Sequence, residues 1–162
     1  MYYNVNMVKL DIPGRGILKI DYIVFDVNGT IAVDGKLISG IDKVIFRLQK
    51  LVNVFLITAN THGKQKIIDS QLGISATILK KGEEAIQKKE FVKRLSAESV
   101  IAIGQGKNDS GMLKTAAIGI CVLSPEGTAV ETLLSADIVV PNIKSALGLI
   151  ENPTRLVATL RI

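Results

Sequence analysis

The chain has 162 residues, of which 48% are hydrophobic and 22% charged, and its formal net charge is +5. This length suits one compact domain with its own core, and the composition excludes a disordered chain. The longest apolar run, residues 116–123, has about eight residues, whereas a membrane-spanning helix needs roughly twenty, so we expect no membrane partner.

The lysines are spread along the chain, so we interpret the positive charge as favouring solubility and phosphorylated ligands, and we expect no nucleic-acid partner. The single cysteine, Cys121, excludes a disulfide framework and is predicted to lie in the core. The first residues lack the basic-then-apolar pattern of a signal peptide. We therefore expect a cytoplasmic protein.

The first predicted elements are two small hairpins on either side of a buried strand. Residues 8–20, with Pro13-Gly14 in the middle, predict an N-terminal hairpin added to a sheet edge. Residues 22–26 predict a buried strand, and residues 30–38, with Asp34-Gly35 at the tip, predict a small hairpin flap.

The rest of the chain alternates between amphipathic helices and short apolar strands. We predict helices at 39–51, 63–72, 83–95, 109–115, 126–134 and 144–151, and strands at 53–58, 76–79, 99–103, 118–122 and 137–140. Continuously apolar strands are typical of parallel sheets with helices on both faces. We therefore predict a doubly wound, mostly parallel α/β fold. We expect a single domain over 1–162, with a hairpin extension at 1–20 and a docked tail at 152–162.

Polar side chains follow three of the predicted strands, at the edge where ligands bind in such sheets. Asp26 ends the first of these strands, Thr58 ends the second, and the sequence Gly-Gln-Gly-Lys-Asn-Asp begins at Gly104. Lys88 lies on a predicted helix before the third. A carboxylate can be a nucleophile, a hydroxyl and an ammonium can hold phosphoryl oxygens, and acidic oxygens can hold Mg²⁺. The pattern indicates phosphoryl chemistry.

The order Asp-x-Asn-Gly-Thr from Asp26, then Thr58, Lys88 and Gly-x-Gly-x-Asn-Asp from Gly104, resembles the haloacid dehalogenase superfamily, whose sheet is Rossmann-like. More narrowly, Lys88 and the segment 104–113 resemble the phosphorylation domain of P-type ATPases and its soluble, capless relatives. The resemblance covers residues 22–150.

The resemblance implies a role for each matched residue. Asp26 matches the nucleophile that becomes an aspartyl-phosphate. Lys88 matches the lysine that pairs with nucleophile and phosphate, with Lys80 and Lys89 as alternatives. The implied phosphate-binding residues are Thr58, Ala59, Asn60, Lys88 and Asn108. The implied Mg²⁺ ligands are Asp26, the carbonyl of Asn28, Gln105 and Asp109.

Two positions depart from the resemblance. Asn28 stands where phosphatases of the superfamily place an aspartate as general acid/base, and an amide cannot transfer that proton. Such help is typically worth about 10² to 10⁴ in rate. Gln105 stands where a Mg²⁺-binding aspartate is expected, and a neutral oxygen is a weaker ligand. We therefore expect weak Mg²⁺ binding and slow turnover.

The intervals from Asp26 to Thr58 and from Thr58 to Lys88 leave no room for a cap domain. An open site suggests a phosphorylated macromolecule as substrate, or closure by another subunit in a homo-oligomer. A phosphorylated small molecule also fits. Taken alone, Asn28-Gly29 is also the sequence of a turn, and Thr58, Asn108 and Asp109 are residue types that cap helices.

Three functions follow from these residues. The first is a Mg²⁺-dependent phosphohydrolase, or phosphatase, that acts through phospho-Asp26. The second is a phosphotransfer domain, similar to that of P-type ATPases, with a long-lived aspartyl-phosphate. The third is a non-catalytic binding or regulatory module that retains the fold. We favour the first, because the superfamily that the chain resembles consists mostly of hydrolases.

Overall fold

The computed structural model describes residues 7–162. The strands are β1 (Val8–Ile12), β2 (Gly16–Ile20), β3 (Tyr22–Asp26), β4 (Ala32–Val33), β5 (Lys36–Leu37), β6 (Asn53–Thr58), β7 (Thr77–Ile78), β8 (Val100–Gly104), β9 (Ile118–Val122) and β10 (Ile138–Val140). The helices are α1 (Ile41–Leu48), α2 (Gln65–Leu72), α3 (Glu84–Arg94), α4 (Ser110–Thr115), α5 (Val130–Ser135), α6 (Ile143–Glu151) and α7 (Pro153–Leu160). Short 3-10 turns occupy Ala97–Ser99 and Lys107–Asp109.

Six parallel strands form the main sheet, in the order β10-β9-β8-β3-β6-β7. This arrangement confirms the predicted α/β class. The central strand β3 pairs with β6 on one side and β8 on the other. In these pairings Asp26 lies opposite Ile57, and Phe25 lies opposite Ile103. The carboxyl ends of the three strands therefore meet at one edge of the sheet.

Alternate residues of the buried strands pack on opposite faces of the sheet, as strand geometry requires. Ile23 and Phe25 of β3 belong to the larger core cluster, which includes residues of α1, α2 and α6. Val24 belongs to the smaller cluster, which includes residues of α3 and α4 together with Cys121, which is buried as predicted. Helices therefore cover both faces.

The hairpin of β1 and β2 is a separate two-stranded antiparallel sheet, so its predicted attachment to a sheet edge is wrong. Only Asp21 separates Ile20 at the end of β2 from the start of β3. The end of the hairpin therefore lies at the amino end of the central strand, and neither of its strands pairs with the main sheet. Leu10, Ile12 and Ile20 are buried in the larger core cluster.

The C-terminal residues form α7, which contacts β1, and the amide of Ile162 donates to the carbonyl of Pro13 at 3.0 Å. We predicted a docked tail there but no helix. Pro153 occupies the first turn, where its missing N–H removes no intrahelical bond. None of the helices within residues 7–162 is long and apolar enough to cross a membrane.

The helix predicted at 126–134 begins only at Val130. Residues 124–129 form a loop instead, because Gly127 has a φ of +91°, which lies outside the helical region. Thr128 Oγ1 accepts from the amide of Ser124 and donates to the carbonyl of Val122, which fixes the loop on the end of β9. The loop borders the site described next.

Candidate active site

One lysine bridges two buried carboxylates at the carboxyl edge of the sheet. Nζ of Lys88 donates to Oδ1 of Asp26 at 2.7 Å and to Oδ1 of Asp109 at 2.6 Å. It also donates to Oδ1 of Asn108 at 3.1 Å. The side chains of Lys88 and Asp109 are 1% and 0% exposed, so water does not screen this cluster. The second oxygen of Asp26 accepts from Thr30 Oγ1 at 3.1 Å.

Backbone geometry holds Asp109 in this cluster. Its Oδ2 accepts from the amides of Gln105 and Gly106, each at 2.9 Å. A Cβ atom at Gly104 would lie 2.5 Å from Cγ of Asp109, so only glycine permits this close approach. The buried position of the Asp109 carboxylate therefore requires a glycine at the end of β8.

Charge and burial shift the ionisation of the cluster. Burial raises the pKa of Asp26 from 3.8 to about 7, and the charge of Asp109 adds to this rise, while Lys88 opposes it. Burial favours a lower pKa for Lys88, but the two carboxylates outweigh it and raise that pKa above its ordinary value. When both carboxylates are ionised, the cluster carries one negative charge in excess, which favours an additional cation nearby.

Thr58 and Asn28 join the ends of β6 and β3. Thr58 Oγ1 accepts from Nδ2 of Asn28 at 3.1 Å and from the amide of Asn60 at 2.9 Å. Thr58 is fully buried, and Asn60 has a φ of +53°, a left-handed conformation that asparagine tolerates. The Asn28 side chain is thus engaged with a neighbouring strand end.

The backbone carbonyl of Asn28 faces Gln105. It accepts from Nε2 of Gln105 at 3.1 Å. A Cβ atom at Gly29 would lie 1.9 Å from this Nε2, so the absence of a side chain at Gly29 lets Gln105 lie against the loop. The Asn28 carbonyl, which was predicted to bind Mg²⁺, therefore already accepts a hydrogen bond from the Gln105 side chain.

Asp109, which was predicted to bind the metal, is fully buried and accepts from Lys88 and two backbone amides. The remaining oxygens that a divalent cation could use are those of Asp26, the Asn28 carbonyl and the Gln105 side chain. Within residues 7–162, no three His, Cys, Asp or Glu side chains are grouped as a metal site. Rotation of the Gln105 amide would direct its oxygen, rather than its nitrogen, towards the Asn28 carbonyl. The set fits Mg²⁺, which prefers oxygen ligands, but it supplies only one carboxylate.

A cavity of about 400 Å³ opens above Asp26 and Lys88. Most of its walls come from the loops that follow β3, β6 and β8. A loop after β9 contributes Glu126. The residues that line it are Asp26, Asn28, Ala59, Thr61, His62, Lys88, Gln105, Gly106, Lys107, Asn108 and Glu126.

The structure brings most of the predicted residues together. Asp26, Asn28, Ala59, Lys88, Gln105 and Asn108 line the cavity, whereas Thr58, Asn60 and Asp109 support it from behind. Of the three candidate lysines, Lys88 contacts Asp26, and Lys80 and Lys89 are exposed. Spacing along α3 could have indicated this, because Lys88 and Val92, four residues apart, are the buried residues of that helix.

Several residues near the site were assigned no part in it, and Thr61 and Lys107 are among those that line the cavity. Thr30 contacts Asp26, whereas His62 and Glu126 line the cavity. His62 is exposed. The sequence analysis placed Glu126 within a predicted helix. Its neighbours Pro125 and Gly127 are residue types that interrupt helices, and they could have indicated that Glu126 lies on a loop.

Comparison with known proteins identifies related sequences. The sequence model of the haloacid dehalogenase-like hydrolase family matches residues 58–142. The protein MJ0073 of Methanocaldococcus jannaschii, described as uncharacterized, is 46% identical over 86 residues, which are 51% of this chain and 92% of that protein.

Solved structures share the fold. A 3-deoxy-D-manno-octulosonate 8-phosphate phosphatase from Moraxella catarrhalis, in complex with magnesium, phosphate and its sugar, matches with a TM-score of 0.61 and 21% identity, over 88% of this chain and 94% of that one. A zinc-transporting PIB-type ATPase in the E2.Pi state matches with a TM-score of 0.61 and 24% identity, over 76% of this chain and 20% of that one. At these identities the likeness shows the fold alone.

Proposed function

Because the chain belongs to the haloacid dehalogenase-like hydrolase family, we propose that it is a phosphohydrolase that transfers a phosphoryl group first to Asp26 and then to water. The observation that carries this proposal is the contact of the Asp26 carboxylate with Lys88 at the floor of an open cavity. A carboxylate nucleophile beside a fixed cation suits the attack on an anionic phosphoryl group.

The neighbouring groups would each have a part in this reaction. Thr30 orients one oxygen of Asp26, so that carboxylate is held by a hydrogen bond on each oxygen. Lys88 would offset the charge of the transferred group, and Asn108, which contacts Lys88, and Ala59 would line its binding site. Asp109 would hold Lys88 in position.

Asp26, the Asn28 carbonyl and the rotated amide of Gln105 would hold Mg²⁺. When bound, Mg²⁺ supplies electrostatic stabilisation of phosphoryl oxygens. With one carboxylate in the set, its binding should be weak. When Asp26 and Asp109 are both ionised, the two carboxylates outnumber the single Lys88 ammonium, which supports a cation at this place.

The substrate would be a phosphorylated small molecule or the phosphorylated part of a macromolecule. The flap of β4 and β5 is only a short hairpin, so the cavity remains open to solvent. A second copy of the chain could complete the enclosure. Lys107 and His62 on the cavity wall would favour an anionic substrate.

The test is phosphate release from para-nitrophenyl phosphate, with and without Mg²⁺, by the wild type and Asp26→Asn. We expect Mg²⁺-dependent release by the wild type and none by the variant, because an amide is not a nucleophile towards phosphorus. Asp11→Asn, an exposed carboxylate on β1, is the control. Equal release by Asp26→Asn would overturn the proposal.

A second candidate is a phosphotransfer domain in which phospho-Asp26 persists. The amide of Asn28, bonded to Thr58, favours it, since this side chain cannot activate water. A pulse of radiolabelled phosphate ester followed by a chase distinguishes the two, because in a phosphotransfer domain a hydroxylamine-sensitive label would stay on the protein through the chase and little phosphate would be released. Asn28→Asp should shorten its lifetime. Mass spectrometry must first confirm that Asn28, which precedes glycine, has not deamidated.

The third possibility that these measurements test is a non-catalytic binding module. It would give neither label nor phosphate release in the wild type or in Asn28→Asp. Binding of inorganic phosphate could remain, and the loss of that binding in Lys88→Met would place it at the same cavity.

A further inference from the structure

A second carboxylate faces the cavity from outside the predicted motifs. Among the described residues that line the cavity, only Asp26 and Glu126 carry carboxylates. Resting on the proposed function, we propose that Glu126 is the general acid/base of the reaction. It would do the proton transfer that the amide of Asn28 cannot do.

The two oxygens of Glu126 have different surroundings. Oε1 accepts from the amide of Asp34 in the flap at 2.7 Å. Oε2 lies 3.2 Å from the point where a Cβ atom of Gly29 would stand, on the side that Gln105 also approaches. One oxygen therefore fixes the side chain, while the other points at the loop that follows Asp26.

The loop that carries Glu126 is held in place by its own hydrogen bonds. The amide of Glu126 donates to Oγ of Ser124 at 3.1 Å, and Thr128 ties Ser124 to the end of β9. The amide of Ala129 donates to the carbonyl of Gln105 at 3.0 Å, which joins this loop to the segment after β8. Glu126 is thus positioned relative to Gln105, although its side chain is exposed.

The other ionisable groups of the cavity are less suited to this role. Lys88 is engaged with Asp26 and Asp109. Lys107 is 81% exposed and its Nζ lies 3.6 Å from a carboxylate oxygen of Glu131, so its ammonium is solvated at the rim. His62 packs beside Gly35 of the flap, where a Cβ atom would meet it at 2.9 Å. Of the ionisable side chains that line the cavity, Glu126 is the one whose oxygen lies near the position of a Gly29 Cβ atom.

The two half-reactions use Glu126 in opposite protonation states. In the first, an oxygen of Asp26 bonds to phosphorus, the bond from phosphorus to the leaving oxygen breaks, and the acid form of Glu126 gives that oxygen its proton. In the second, the Glu126 carboxylate takes a proton from water, the water oxygen bonds to phosphorus, and the bond to Asp26 breaks. Inorganic phosphate leaves and Glu126 is protonated again.

Glu126→Gln separates proton transfer from the contact with the flap, because glutamine keeps an oxygen that accepts from Asp34. The variant is compared with the wild type on two probes, para-nitrophenyl phosphate and ethyl phosphate. Nitrophenolate leaves without a proton, whereas an alkoxide needs one. Glu98→Gln, an exposed residue that precedes β8 at the opposite edge of the sheet, is the matched control.

We expect Glu126→Gln to form phosphoenzyme from the aryl ester at the wild-type rate but to lose it about 10² to 10⁴ times more slowly. From the alkyl ester, formation should also slow by a similar factor. Equal slowing of formation on both esters would indicate a role in holding the flap and would overturn the inference.

The two proposals fail in different ways. Unchanged turnover in Glu126→Gln, together with no label in Asp26→Asn, overturns the role of Glu126 and leaves the phosphohydrolase standing. Wild-type protein that neither takes label nor releases phosphate overturns both.

Discussion

Nζ of Lys88 lies 2.7 Å from Oδ1 of Asp26, across 62 positions of sequence, and both side chains are buried. The same ammonium also contacts Asp109. Removing Lys88 leaves two buried carboxylates without a cation, and the cost of an uncompensated buried charge is large. Structure and chemistry therefore depend on the same three side chains.

Replacement of Lys88 should destabilise the fold. Lys88→Met leaves Asp26 and Asp109 buried without a cation, and we expect the free energy of unfolding to fall by about 3–5 kcal/mol. Urea denaturation measures it. Lys89→Met, the exposed neighbour on α3, is the control. Adding Asp26→Asn to Lys88→Met should restore part of the loss, and a simple sum of the two single effects would contradict the coupling.

The stability of the wild type should decrease from pH 5 to pH 8. The pKa of Asp26 is about 7 in the folded chain, against an ordinary value of 3.8. Between these values the folded state binds more protons than the unfolded state, so raising the pH favours unfolding. Asp26→Asn lacks this titration, and its advantage in Tm over the wild type should grow with pH.

The pH-dependent part of this stability difference should have a minimum size. We expect the advantage of Asp26→Asn at pH 8 to exceed that at pH 5 by at least about 1 kcal/mol, or roughly 2–4 °C in Tm. Thermal denaturation across this pH range measures it. Asp11→Asn controls for the loss of one formal charge. A difference that stays constant with pH would contradict a titration of Asp26 in this range.

A carboxylate at position 105 should strengthen the binding of Mg²⁺. Gln105→Asp adds a charged ligand beside Asp26 and removes the amide that now bonds to the Asn28 carbonyl. We expect at least about a tenfold decrease in Kd, which is 1.4 kcal/mol. The Mg²⁺-dependent rise in Tm, or calorimetry, measures it. Gln105→Asn is the control, and an equal gain in that variant would exclude charge as the cause.

Gly104→Ala should disrupt the cluster of Lys88, Asp26 and Asp109 although it replaces no charged residue. The new Cβ would lie 2.6 Å from Oδ2 of Asp109, so that carboxylate must move away from Lys88. We expect a loss of roughly 1–3 kcal/mol in the free energy of unfolding. In Gly106→Ala the nearest atom is 3.4 Å away, and its stability should change much less. Equal effects in denaturation experiments would exclude the contact with Asp109 as the cause.

The sheet and its polar edge were predictable from the sequence because parallel strands carry continuous apolar runs. Asp26, Thr58 and Gly104 each end such a run, and the parallel arrangement then brings them together. The lysine was less certain, since Lys80, Lys88 and Lys89 all lie near α3. The four-residue spacing from Val92 favours Lys88, and the packing of α3 buries that lysine.

The position of Glu126 could not be obtained from periodicity. The apolar residues after it continue at helical spacing into α5, which extended the predicted helix too far. The predicted position of the N-terminal hairpin was wrong for a different reason. Alternation of apolar and polar residues predicts that two strands pair with each other, but it does not predict which other strands they lie beside. The single residue between β2 and β3 determines that placement.

The pairing of β3 with β8 has a consequence for synthesis of the chain. On the ribosome, β3 emerges early and β6 soon follows, but the second neighbour of β3 is complete only at Gly104. Until then one side of the central strand has no partner, and Asp26 lies at its end in contact with water. Such non-local pairing slows folding. A chain extended only as far as β6 would therefore leave one edge of β3 unpaired, and an unpaired strand edge favours aggregation.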